Sequence, residues 1–254
     1  CATLMLGHNE AQVKTSPQLS DAYEADGRRL GRSRRRVLTV LPAAPFPAIT
    51  GLHLRMVNNL DLVRRLGCDS RVLQFATEEC SRDDAARVRL AELCDGITFG
   101  GQRRPQDAFS AASLIAHKAD FLIRGGLGLR GRRYPFSMRY DAIGAERIVL
   151  QEAEETKADY VVLPSFMMHY AGRLSGAGFR VIADAIDMLT DLTASLLTSY
   201  SAKGRVGWLG LLANHWACRT QEKKYLPLCT EIWATTANEA ESLQRIAPRV
   251  NVVV

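Results

Sequence analysis

The feature that most constrains this chain is an alternation. Short apolar or β-branched runs at 37–41, 71–75, 96–99, 160–163, 180–183, 231–235 and 251–254 read as strands. Amphipathic patterns at 51–66, 83–94, 108–124, 140–157, 209–226 and 238–246 lie between most of them and read as helices. Strands separated by helices of this length pair in parallel through right-handed crossovers, which predicts a doubly wound, Rossmann-like α/β sheet covered on both faces over residues 36–254. Residues 1–35 are polar and irregular and are expected to form a mobile basic extension.

Composition narrows the class. With 254 residues and 47% hydrophobic content, the chain can bury a substantial core. The longest uncharged stretch, 37–54, carries Pro42, Pro45 and Pro47, so an integral membrane protein is not expected. Lys and Arg exceed Asp and Glu by six, the number of arginines at Arg28, Arg29, Arg32, Arg34, Arg35 and Arg36, so the rest of the chain is neutral. The positive charge is a local feature, read as a solvated basic linker or an acidic-lipid contact, and nucleic-acid binding is not expected. The six cysteines form no CxxC pair, which fits a reducing, cytoplasmic setting with neither zinc site nor disulfide framework.

In a doubly wound sheet, ligands sit beyond the carboxyl ends of the strands. Gly51 opens the helix after the first strand, where backbone N–H groups and the helix dipole favour an anion. Ser165 and His169 follow the fourth strand, and Asp184 and Asp187 follow the fifth. His169 either faces a substrate or packs against its own helix. The two aspartates close a buried strand, where a carboxylate either finds donors or lines a cleft; the cleft is expected, with helix capping a further alternative for Asp187. Gly126, Gly128 and Gly131 match G-x-G-x-x-G but follow a helical pattern and run into a loop, which argues against a dinucleotide site. No P-loop, G-x-S-x-G elbow or metal-spaced histidine pair is present. Trp208, Trp216 and Trp233 are expected in the core, a peripheral membrane contact being the alternative.

Four segments then carry a resemblance. They are 37–42 (VLTVLP) with 51–60 (GLHLRMVNNL) and 66–68 (LGC); 159–170 (DYVVLPSFMMHY); 181–187 (VIADAID); and Glu222 followed by 229–243 (CTEIWATTANEAESL). In this order they resemble the N-terminal half of a family-4-type glycosyltransferase of the GT-B fold, nearest in motif to the sugar transferases of exopolysaccharide loci. Leu52, Ile186 and Thr236 stand where that family commonly has glycine, histidine and serine.

The resemblance implies one half of a GT-B architecture, the acceptor-side domain. Such an enzyme moves a sugar from a nucleotide-sugar donor to a glycan, lipid-linked or small-molecule acceptor, without an obligatory metal or other cofactor. It further implies a role in polysaccharide biosynthesis, in the cytoplasm or peripherally at the inner membrane face. The family's chains continue into a second domain that binds the donor nucleotide, so this chain is expected to be inactive alone. The rival expectation is a catalytically inactive binding or scaffold module of the same fold. As catalytic residues the resemblance suggests His169 and Asp187, with Asp187 orienting the imidazole or accepting the acceptor's proton. Gly51, Arg55 and Ser165 would bind substrate, Arg55 reaching an acceptor phosphate or carboxylate. The alternative for Arg55 is a surface ion pair.

Overall fold

The computed structural model describes residues 34–75, 84–100, 119, 123, 144–185, 189–200 and 205–254. Residues 1–33 of the predicted extension, the Gly126 motif, most of the helix expected at 108–124, and Asp187 fall outside them. Seven strands run β1 Arg36–Leu41, β2 Asp69–Gln74, β3 Gly96–Phe99, β4 Tyr160–Pro164, β5 Arg180–Asp184, β6 Glu231–Trp233 and β7 Asn251–Val253. They form one sheet in the order β3-β2-β1-β4-β5-β6-β7, with every pairing parallel. The described helices are α1 Gly51–Arg65, α2 Asp84–Ala91, α3 Ala145–Glu155, α4 Ala171–Gly176, α5 Leu189–Tyr200, α6 Arg205–Tyr225 and α7 Ala237–Ile246. Two short 3₁₀ segments, Ser165–Tyr170 and Leu226–Leu228, complete the set. The Rossmann-like α/β reading therefore holds.

Period-two patterning explains the layers. Leu38, Val40, Val161, Leu163, Val181 and Ala183 point to one face, where Val149 and Ala153 of α3, Leu174 of α4, Cys218 of α6 and Leu243 of α7 meet them. Val37, Val162 and Ile182 point to the other face beside Val63 of α1. Leu41 and Val72 join them there against Met56 and Leu60 of α1 and Leu90 of α2. Burial on both faces is what a parallel sheet requires.

Local chemistry sets the helix ends. Thr50 caps α1, its Oγ1 accepting from the His53 N–H at 3.3 Å. The helix stops where Gly67 takes a left-handed φ of +69°, with Gly67 N donating to Arg64 O (2.9 Å) and Cys68 N to Val63 O (3.4 Å). The same closure ends α3, but there the left-handed position is Lys157, φ +51°, with Ala158 N donating to Ala153 O at 2.9 Å. Two elements depart from the sequence reading. Residues 165–176 turn in 3₁₀ and then α form straight after β4, and α5 occupies a stretch where no helix was expected.

Candidate functional site

Strand order reverses between β1 and β4, the neighbours at the centre of the sheet. At such a switch point the connections leave in opposite directions and open a crevice above the strand ends. The segments after β1, β4 and β5 all reach this carboxyl edge. Gly51 is exposed in the first turn of α1, and a Cβ built there would meet nothing within 4 Å. Leu52, next to it, is half-buried and packs against the core clusters of both faces, so the start of α1 straddles the sheet's upper rim. That contact gives the leucine at this glycine-favoured position a packing role.

Ser165, buried, begins the 3₁₀ segment that follows β4 without a loop. His169 sits four residues on, half-buried, its ring edge-on to Tyr170 with centroids 4.2 Å apart. Phe166, Met167, Met168 and Tyr170 anchor the segment in the core. Ser165 and His169 are thus held on a rigid platform, and α6 packs against it.

Arg55 does not project freely. Its Nε donates to Asp184 Oδ1 at 2.6 Å, Nη2 donates to Trp233 O at 3.0 Å and Nη1 to Ala234 O at 3.5 Å. Asn59, one turn along α1, donates from Nδ2 to Asp184 Oδ2 at 2.7 Å. The side chains of Arg55 and Asp184 are 17% and 5% exposed. Burial pushes the Asp184 carboxyl above its ordinary range, and Arg55 and then Asn59 pull it back. Donors on both oxygens are the geometry of the ionised form. The expectation that Asp184 lines an open cleft is therefore corrected: it ends β5 as a buried clasp joining α1 to β5 and β6. Asn59 had no assigned role in the sequence reading, although its i, i+4 spacing from Arg55 was the available signal.

A second buried carboxylate lies nearby in the chain. Glu222 of α6 accepts from the Thr190 N–H at Oε1 (3.2 Å) and from the Thr190 hydroxyl at Oε2, at the first turn of α5. Burial raises its pKa to about 7, with the Thr190 donors and the Leu189 backbone N–H opposing that rise. Thr193 Oγ1 donates to Leu189 O at 2.7 Å, and His215 Nδ1 stands 3.0 Å from Thr193 Oγ1 and 3.1 Å from Thr190 O. The glutamate inside the fourth resembling segment thus holds the start of the helix that follows β5. Among the described residues no group of three His, Cys, Asp or Glu side chains is placed to hold a metal ion. Among them, too, no helix is long and apolar enough to cross a membrane.

No family model and no curated protein matches this chain. Solved structures similar to it include a spinosyn forosaminyltransferase at 16% identity, covering 82% of this chain and 48% of that one, TM-score 0.39. A UDP-glucosyltransferase from Polygonum tinctorium, in complex with 3,4-dichloroaniline, shows 13% identity, 87% and 51% coverage and TM-score 0.47. A glycosyltransferase from Streptomyces sp. SF2575, complexed with thymidine diphosphate, shows 12% identity, 83% and 51% coverage and TM-score 0.38. The chain spans about half the length of each.

Proposed function

We propose that this chain is the acceptor-side half of a glycosyltransferase that moves a sugar from a nucleotide-sugar donor to a glycan, lipid-linked or small-molecule acceptor. The observation that carries the reading is positional. The segments resembling family-4-type transferases form β1 with α1, β4 with its 3₁₀ platform, the end of β5, and the run from α6 to α7 of one parallel sheet. These flank the switch-point crevice where an α/β sheet receives ligands.

Within that crevice the exposed first turn of α1 at Gly51 offers backbone N–H groups to a phosphate. Ser165 and His169 hydrogen-bond hydroxyls of the acceptor or of the transferring sugar. Asp187, three positions beyond the end of β5 in the sequence, orients His169 or takes the acceptor's proton. Arg55 serves by holding α1 against β5 and β6 rather than by contacting ligand. Catalysis rests on positioning and on stabilising the leaving phosphate, with no metal in the chemistry. The same reading places the enzyme in a reducing, cytoplasmic compartment. Polysaccharide assembly is the pathway class that fits such acceptors.

On this reading residues 1–254 supply the acceptor side, so by themselves they should not hold a nucleotide-sugar. Titration calorimetry with UDP-, TDP- and GDP-sugars should give negligible heat. A micromolar dissociation constant, about −8 kcal/mol, would contradict the assignment of the donor site elsewhere. In a protein that pairs this half with a donor domain, His169→Ala and Asp187→Asn should each lower kcat at least tenfold, about 1.4 kcal/mol of barrier. Full activity in both variants would sink the site.

A further inference from the structure

Helix α6 carries a surface that neither the core nor the crevice uses. Its inner face is Cys218, Gln221, Glu222 and Tyr225, all buried. With 3.6 residues per turn, Leu212, Trp216, Arg219 and Lys223 fall within a sector of about 60° on the opposite side. All four are exposed, Leu212 at 40% and Trp216 at 53%. The expectation of a core position for Trp216 is thereby corrected. No acidic side chain of α6 interrupts this stripe among the described residues, since Glu222 is turned inward onto Thr190.

We propose that this stripe is a membrane-interface face, by which α6 lies flat on a bilayer surface that contains anionic lipid. An indole beside a leucine, with an arginine and a lysine in the next two turns, is the chemistry of the headgroup region. The ring settles at the boundary of the acyl chains, and the long cationic side chains reach lipid phosphates. Charge complementarity selects an anionic surface over a neutral one. A stripe on the outside of a helix presents a ridge, and a deformable bilayer accepts a ridge without a matching groove. The proposal stands independently of the transferase reading, because it concerns where the chain sits and not what it transfers.

The test is cosedimentation of the whole chain with vesicles of phosphatidylcholine alone or with about 30% phosphatidylglycerol, at low and high salt. Binding should be at least about tenfold stronger to the anionic vesicles and should weaken in high salt. Trp216→Ala and the double variant Arg219→Glu/Lys223→Glu should each lower that binding about tenfold while melting like the parent protein. Parent-like binding by both variants would overturn the proposal and move the contact to the arginines between Arg28 and Arg36. Absence of vesicle binding, or equal binding to both compositions, would also overturn it. So would a micromolar dimer in sedimentation velocity that Trp216→Ala abolishes, since a second copy would then cover the stripe.

Discussion

Removing one partner of the Arg55–Asp184 clasp exposes what it contributes. In Arg55→Met the aliphatic stem is kept, but Asp184, 5% exposed, is left with Asn59 as its remaining side-chain donor. In Asp184→Asn the guanidinium, 17% exposed, keeps its carbonyl contacts to Trp233 and Ala234 and can keep an amide oxygen as acceptor, but it loses its counter-charge. Each single variant should cost about 3 kcal/mol, the range for a buried charge deprived of its partner. The double variant leaves no stranded charge, so its cost should fall short of the sum by about 2 kcal/mol. Urea denaturation at pH 7, fitted for all four proteins with a shared slope, measures this coupling. Arg55→Met should also become more stable towards lower pH, because the strongest influence opposing the burial-raised Asp184 pKa has gone and a protonated carboxyl is tolerated better. A coupling below about 0.5 kcal/mol would refute the clasp and return Arg55 to the list of residues free to meet a ligand.

Three further outcomes follow from local features. Glu222 has a folded pKa near 7 against an ordinary 4.5, so its contribution to stability is fully present below pH 4.5 and lost as pH rises through 7; Glu222→Gln should flatten the stability profile across that window by up to about 3 kcal/mol, and an unchanged slope in chemical denaturation would contradict it. Lys157→Gly should stabilise the fold by up to about 1 kcal/mol, read as a raised melting temperature, because glycine takes the left-handed φ of +51° without strain. Gly51→Ala has open space around the new methyl and should leave folding unchanged; in a protein that pairs this domain with a donor domain it should nevertheless cut transfer at least about tenfold if a phosphate approaches this backbone, and parent-like kinetics would exclude that approach.

Much of the sheet was legible because its strands are short apolar runs punctuated by helices, a pattern that parallel pairing all but dictates. What escaped has physical reasons. Helix α5 reads LTDLTASLLTSY, rich in Thr and Ser, whose side chains compete for backbone hydrogen bonds. Packing on α6 and the Glu222 carboxylate make it a helix, and neither is visible locally. The 3₁₀ segment Ser165–Tyr170 hides in a hydrophobic run that fits strand or helix alike. At the site, Gly51, Ser165 and His169 could be placed at strand ends from sequence because topology alone puts them there. The fate of Arg55 could not, since its partner lies 129 residues away. Residue type alone suggests a core position for Trp216, whereas its helical phase relative to Cys218 and Glu222 decides its exposure.

The hold of Glu222 on α5 has a consequence for how the chain is made. An acceptor for the first turn of α5 comes from a residue 32 positions downstream of Thr190. During synthesis from the N-terminus, α5 therefore leaves the ribosome before its stabilising partner exists, and α5 and α6 must mature as one cooperative hairpin. Nascent chains stalled before Glu222 should accordingly remain open to proteolysis across 189–200, and those stalled well beyond it should be protected.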